Sequence, residues 1–358
     1  MQVSDKKYRI KDIALMAGVS EGTVDRVLHN RGEVSEKSKE AIQKVLDEIN
    51  YSPNLLARSL ASKKHYHFIC MIPSYQPGDY WEFVETAFLQ AGTDFLQYNI
   101  HIDIRYFNQF DIESFSLLTN DIIQLQPNAV IIAPIFRDET LAFTKKLLHH
   151  EIPFSFIDSL IEDSGYDTYY GQNSYQSGYV AAKLLLNDLP DHSKILIVRT
   201  KRLGAISNQT KARYEGFMAY MEQHRNSTFS FVSVEISEGD DASNLQLIEN
   251  IFNDTPGINA AITFNSKVYR LANYLNQLNR NAIRLIGYDL LDQNVEYLKE
   301  GVISFLIAQS PGKQAYYTVR DLCNKLILKQ EVSQLNYVPI DILITENITD
   351  YINFREKY

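Results

Sequence analysis

Cysteine and tryptophan are nearly absent: the 358-residue chain holds two of the first and one of the second. Cys70 and Cys323 lie far apart, so the sequence carries neither a disulfide framework nor a paired-thiol site. Both sit in apolar surroundings (HFICMI and VRDLCNKLIL) and read as small buried hydrophobes. Long apolar runs are missing as well; none approaches the ~18–20 residues that span a bilayer. Met1 to Arg9 is polar and lacks the apolar core of a signal peptide. The expectation is a soluble, cytoplasmic protein with no membrane partner. No group of His, Cys, Asp and Glu has metal-ligand spacing. A phosphate-binding loop, a GxGxxG and a GxSxG are all absent. The sequence therefore predicts no metal, no cofactor and no catalytic residue.

Positive charge is scarce overall. The 35 Lys and Arg stand against 44 Asp and Glu, a net charge of −9. Taken whole, that acidity argues against a nucleic-acid partner. The distribution reverses the argument. Residues 1–64 carry 12 Lys and Arg against 9 Asp and Glu, a balance of +3 that leaves −12 for residues 65–358. A small basic head on a large acidic body is the asymmetry expected when one module meets a polyanion and the other does not.

The head reads as helices. Ile13, Ala14 and Ala17 share one face of a first helix. Gly18-Val19-Ser20 breaks it, with a glycine suited to a left-handed turn and a serine suited to cap a second helix. That helix, from Glu21 to about Leu28, turns Val24, Val27 and Leu28 inward, and leaves Thr23, Asp25 and Arg26 on or near the outer face. Ser35 caps a third helix whose stripe is Ala41, Ile42, Val45, Leu46 and Ile49. Helix, glycine turn, helix and packing helix make a helix-turn-helix module or, on periodicity alone, a generic three-helix bundle. Ser52-Pro53 then starts a helix of about two turns, too short to be stable alone in water.

The run RIKDIALMAGVSEGTVDRVLHNRGEVSEKSKEAIQKVLDEINYSPNLLARSLA, Arg9 to Ala61, resembles the DNA-binding domain and hinge of the LacI/GalR transcriptional regulators. Its markers include Asp12-Ile13-Ala14, Ala17-Gly18-Val19-Ser20, Arg26-Val27-Leu28 and Tyr51-Ser52-Pro53-Asn54. The resemblance implies double-stranded DNA with a palindromic operator as partner, and a homodimer to match its symmetry. It implies DNA contacts by Ser20, Glu21, Gly22, Thr23, Arg26 and Asn30 in the head, and by Asn54, Ala57, Arg58 and Leu60 in the hinge. Glu21, Gly22 and Arg26 stand where family members read base edges; Leu60 matches the leucine that wedges into the minor groove. Glu21-Gly22 is a weak reading pair, because glycine has no side chain and a carboxylate only accepts. Glu21 is otherwise a first-turn acid favourable to the helix dipole, and Arg26 a phosphate contact.

From residue 67 onward, short apolar runs alternate with helical patterns. Strands are predicted at 67–72, 102–107, 129–133, 154–157, 194–199, 229–236, 260–263, 284–288 and 304–308. Continuous apolar strands such as AVIIA require a parallel sheet covered on both faces. Nearly 300 residues of this pattern exceed one doubly wound domain, so two similar lobes are predicted. The fold class is α/β: an all-α helix-turn-helix head and a hinge helix leading to a two-lobed doubly wound body. That body resembles, more loosely, the effector domain of the same family and the periplasmic sugar-binding proteins (type I). Expected boundaries are 1–52 for the head, 53–64 for the hinge and 65–358 for the body. Within the body, one lobe takes 65–171 with 305–334, and the other 172–304 with 335–358.

Ligands of such sheets sit beyond the carboxyl ends of the strands. The candidates there are Tyr80 and Trp81, Asp158, Asn265, Asp289 and Gln309, with Arg213 on a following helix. Acids and amides bond paired hydroxyls, and aromatic faces cover the apolar side of a sugar ring. The set suits a small carbohydrate effector. Read blandly, Asp158 and Asp289 cap helices, Tyr80 and Trp81 are core, and Arg213 pairs with a surface acid. The leading expectation is a DNA-binding repressor controlled by a sugar-like effector between two lobes. A sugar-binding receptor without a transcriptional role and an enzyme on a doubly wound fold are the competing classes.

Overall fold

Gly18 turns the chain between the first two helices of the head, α1 (Ile10–Ala17) and α2 (Glu21–Leu28). Its backbone is left-handed (φ 64°), and its N–H reaches the carbonyls of Ala14 and Leu15, a closure that suits glycine. Ser20 opens α2 by accepting from the Thr23 N–H at 3.1 Å. Ser35 opens α3 (Glu36–Glu48) in the same way through Ser38. Ile13, Ala14, Val24, Ile42 and Val45 form the buried centre, with Val27, Leu28, Leu46 and Ile49 packed around it. The three-helix arrangement and its inward face follow the predicted periodicity.

The computed structural model describes residues 8–28, 32–49, 64–187, 189–200, 207–224, 229–237 and 239–355, and the chain divides into two units, Met1–Ala61 and Ser62–Tyr358. The hinge residues Asn54, Ala57, Arg58 and Leu60, and Asn30 in the head, lie outside the described residues.

The second unit contains two six-stranded sheets. The chain runs β1 (Tyr66–Pro73), α4 (Tyr80–Asp94), β2 (Ile100–Phe107), α5 (Ile112–Leu125), β3 (Ala129–Ile132), α6 (Arg137–His149), β4 (Phe154–Ile157) and β5 (Tyr169–Gln172). It then crosses to α7 (Ser174–Leu186), β6 (Lys194–Thr200), α8 (Asn208–Gln223), β7 (Ser230–Ile236), α9 (Asp241–Asp254), β8 (Ile258–Thr263), α10 (Val268–Gln277), β9 (Arg284–Tyr288), α11 (Asp292–Lys299) and β10 (Phe305–Ala308). It crosses back for α12 (Pro311–Leu326) and β11 (Leu335–Val338), and once more for β12 (Asp341–Leu343) and α13 (Ile348–Arg355). The first sheet, ordered β11-β5-β4-β3-β1-β2, is parallel throughout. The second, β12-β10-β9-β8-β6-β7, is parallel except for β12. Central strands such as β3 are buried along their whole length, as helix-covered parallel strands must be.

Strand pairing corrects the expected lobe boundaries. β10 (Phe305–Ala308) pairs with β9, so it belongs to the second lobe and not the first. β11 (Leu335–Val338) pairs with β5 and belongs to the first. α12 between them packs on α4, β4 and β5 of the first lobe. The crossings therefore fall at 172–174, 308–311 and 338–341.

Two glycines set the closest helix contact. A Cβ on Gly178 of α7 would stand 1.8 Å from the Arg213 carbonyl oxygen of α8, and one on Gly216 would stand 1.8 Å from that of Tyr175. The absence of side chains at both positions brings the two backbones together and fixes where α8, and with it Arg213, lies over the second sheet.

Candidate functional site

Both lobes end a strand with an acid in an uncommon backbone conformation. Asp158 follows β4 and Asp289 follows β9, with φ of 67° and 71°. Non-glycine residues enter the left-handed region at a cost, and such strain gathers at ligand sites. Surrounding bonds hold it in place. The Asp158 N–H donates to the Tyr170 carbonyl at 3.2 Å and to Gln314 Oε1 at 3.0 Å. The Asp289 N–H donates to the Ile307 carbonyl at 3.0 Å. Asn294 Nδ2 donates to the carbonyls of Ser266, Tyr288 and Asp289, tying the ends of β8 and β9 together.

Between the acids lies a cleft bordered by Tyr80, Trp81, Asp158, Asn265, Asp289 and Gln309, six of the seven residues predicted to contact effector. A chain of amides crosses it. Gln209 Nε2 donates to Asp158 Oδ1 at 2.8 Å and to Gln309 Oε1 at 2.9 Å. Gln309 Nε2 donates in turn to Asp289 Oδ1 at 2.9 Å. Asn265 also has a local role: its Nδ2 donates to Thr200 Oγ1 and its Oδ1 accepts from the Lys267 N–H, each at 2.9 Å. The rings of Tyr80 and Trp81 meet edge to face, with centroids 5.0 Å apart, and are nearly buried at the start of α4. They are core and cleft wall at once, so the two readings of this pair are not exclusive.

Arg213, the seventh, does not border the cleft; it stands behind it, fully buried. Its guanidinium lies 3.8 Å over the Tyr288 ring, and Nη1 donates to the Phe264 carbonyl at 2.9 Å. Nε and Nη2 have no hydrogen-bond partner among the described residues. Buried donors are nearly always met, so two without a partner among the described residues single out this side chain. The alternative of a surface acid pairing with Arg213 is excluded by its burial.

Burial raises the Asp158 carboxyl above its ordinary 3.8, against the opposing pull of Arg213 and of bonds from Gln209 and Ser159. Burial likewise raises the Tyr80 hydroxyl, helped by the nearby charges of Asp158 and Asp289. The cleft is an acceptor-rich, poorly solvated site that favours neutral hydroxyl donors over anions.

Sequence reasoning missed Gln209, Gln314 and Asn294. Gln209 had a legible signal, since it lies four residues before Arg213 on one helical face. Lys267 was missed as well; its 4.0 Å ion pair with Asp79 reaches from the start of α10 to that of α4, across the two lobes.

In the head, Ser20, Glu21, Gly22 and Arg26 are exposed and Thr23 is half-buried. Ser20 and Thr23 bond one another at 2.8 Å through their hydroxyls. A Cβ on Gly22 would meet only the Ser20 hydroxyl, at 3.9 Å, so the head's own packing does not require glycine there.

Residues 9–54 match the family of bacterial regulatory proteins of the lacI type, and residues 69–330 match the periplasmic binding protein domain. The HTH-type transcriptional regulator MalR of Streptococcus pneumoniae is 51% identical over 53 residues, 15% of this chain and only 16% of that protein. The ribose operon repressor of Lactococcus lactis is 23% identical over 296 residues, 78% of this chain and 80% of its own length. A Bacteroides fragilis structure assigned as a LacI transcriptional regulator superposes with a TM-score of 0.77 at 38% identity, covering 80% of this chain and all of that one. The fold is thus that of a periplasmic-binding-protein-like regulator body. The chain belongs to the LacI family of bacterial transcriptional regulators.

Proposed function

We propose that the protein is a sequence-specific repressor whose operator affinity is set by a small neutral carbohydrate bound between the two lobes. The carrying observation is the pair of strained strand-end acids, Asp158 and Asp289, bridged by amides and backed by a buried arginine with two unmet donors. That set presents carboxylate and amide acceptors to hydroxyl hydrogens and guanidinium donors to hydroxyl oxygens. Asp158, Asp289, Gln309 and Asn265 would contact the sugar's polar edge and Tyr80 and Trp81 its apolar face, with Arg213 reaching sugar oxygens from behind the cleft. The two relatives are named for transcriptional regulation and one of them for the ribose operon, which supports this reading. A dimer places two heads on a palindromic operator in the cytoplasm, Glu21, Gly22 and Arg26 facing the major groove and the hinge leucine Leu60 the minor groove. Sugar binding changes lobe closure, and through linkage the same free energy appears in operator affinity. The helix-turn-helix head favours this reading over a transport receptor, and its relatives named for transcriptional regulation favour it over an enzyme.

Thermal-shift screening against monosaccharides, disaccharides, sugar acids, sugar phosphates and nucleosides tests the effector class. Stabilisation by a neutral sugar that also releases the protein from a DNA fragment upstream of its own gene is the expected result. Failure to bind any genomic fragment at low salt would overturn the regulator reading. A response confined to sugar phosphates or nucleosides would overturn the neutral-sugar reading.

A further inference from the structure

We propose that Gln209 is an interlobe clasp, supplying from within the chain the two donors that a polyol would bring to the cleft. This role presupposes that the cleft is the effector site. Gln209 belongs to α8 of the second lobe, whereas Asp158 ends β4 in the first, and Gln309 lies at the second crossing. Its Nε2 has two protons and both are used, toward Asp158 Oδ1 at 2.8 Å and Gln309 Oε1 at 2.9 Å. Gln309 passes the chain on to Asp289 at 2.9 Å, so one amide completes a bonded path from the acid of one lobe to the acid of the other. Behind the cleft the lobes are also joined by Gln314 Nε2 to the Gln309 carbonyl at 2.7 Å and Gln172 Nε2 to the Ala308 carbonyl at 2.9 Å. The other bonds across its mouth are longer, Asn208 Nδ2 to the Pro134 carbonyl at 3.4 Å and Lys267 to Asp79 at 4.0 Å. The clasp is charge-assisted at Asp158 and lies in a largely buried setting, where such bonds count most.

The lobes are thereby held near one another without help from outside the chain. An incoming polyol exchanges its hydroxyls for the amide of Gln209, a substitution nearly even in hydrogen bonds. Binding then draws its net gain from groups that the clasp does not satisfy, chiefly the unmet Nε and Nη2 of Arg213. Gln209 thus sets how much of the ligand's binding energy is left to move the regulator.

Trp81 reports on this directly, being the chain's single tryptophan, at the cleft wall and only 7% exposed. Acrylamide quenching of the full-length protein without added ligand measures how open the cleft is. Gln209→Ala should shift the closed-to-open ratio by ~10-fold and at least about double the quenching constant. Asp158→Ala should do the same from the other lobe, and the double variant should open the cleft no further than Gln209→Ala alone, since both variants break the same Asp158–Gln209 bond between the lobes. Circular dichroism and the melting curve verify that each variant is folded; should one fail to fold, the other, compared with the parent, still decides. Unchanged quenching in a folded variant overturns the clasp, and so does an additive double variant, which would mean that Gln209 acts elsewhere. No sugar enters this experiment. A protein deaf to every sugar would overturn the effector reading, while the quenching result would still decide whether Gln209 joins the lobes.

Discussion

Arg213→Met separates what this side chain does for the fold from what it does for a ligand. Methionine replaces the apolar stem but ends short of the guanidinium, whose charge it removes. The fold loses one charged hydrogen bond to the Phe264 carbonyl, worth ~1.5–3 kcal/mol, and a guanidinium–ring contact with Tyr288 worth about 2 kcal/mol when desolvated. It is relieved of two unmet buried donors, Nε and Nη2, each costing ~1–3 kcal/mol. These quantities nearly cancel, so the variant should melt within about 5 °C of the parent. A purely structural buried arginine behaves differently, because breaking its partnership costs ~3–5 kcal/mol and would lower the transition far more. The ligand side does not cancel. Losing two charged donors to sugar oxygens should weaken binding by ~100-fold, or about 3 kcal/mol. Calorimetric melting of parent and variant, with and without the sugar that most stabilises the parent, measures both sides in one set of scans. A fall of more than about 10 °C without sugar, or an undiminished response to it, would refute the reasoning.

Three further outcomes are expected. Gly178→Ala forces a Cβ to within 1.8 Å of a backbone carbonyl that cannot swing away; a loss of about 3 kcal/mol or more should appear in the urea midpoint, and a neutral result would mean that α7 and α8 part easily. Asp158 has a folded pKa raised by burial, so its charge opposes folding at neutral pH and that opposition fades as pH falls through the raised value. The carboxylate is also the ligand's acceptor, so sugar affinity should begin to fall on acidification above 3.8, and Asp158→Asn should flatten that part of the profile. Arg26→Ala on the exposed face of α2 should cost ~1–3 kcal/mol of operator affinity in fluorescence anisotropy. If Arg26 only neutralises a phosphate, the logarithmic salt slope should drop by about one while sequence preference stays.

The elements legible in the sequence are those whose pattern reports burial directly. β4 and β9 begin and end at the predicted residues, because FSFI and RLIGY are buried strands with polar neighbours at their ends. β5, β11 and β12 escape because they are three or four residues long and none is a plain apolar run. YYGQ is held by its neighbours and not by its own composition, and β11 and β12 are edge strands with one buried residue each. The third crossing runs between these two edge strands, so the boundary near residue 335 is not legible; the one near 305 depends on which sheet β10 joins, and the composition of a strand does not specify its partner. At the site, residue type at a strand end is informative, and Asp158 and Asp289 need only the sheet rule. Gln209 and Gln314 are not legible in that way, since an amide on a helix becomes part of a site only through the packing of that helix. Gln314 illustrates it: buried on α12, it accepts from the Asp158 N–H and donates to the Gln309 carbonyl, linking two candidate contacts from behind.

That packing also constrains how the lobes can move. Gln172 ends β5 at the first crossing, and its Nε2 donates to the Ala308 carbonyl at 2.9 Å and the Pro339 carbonyl at 3.2 Å. These carbonyls belong to the second and third crossings, so a single buried side chain ties all three strands of chain that join the lobes. Segments pinned at one point turn about it more readily than they slide, so any opening of the lobes is expected to be a hinge about Gln172, with the Asp158–Gln209–Gln309–Asp289 chain lying across the opening arm. A hinge held by such a clasp would have two discrete positions, which is what a ligand needs if it is to bias an equilibrium and not merely fill a cavity.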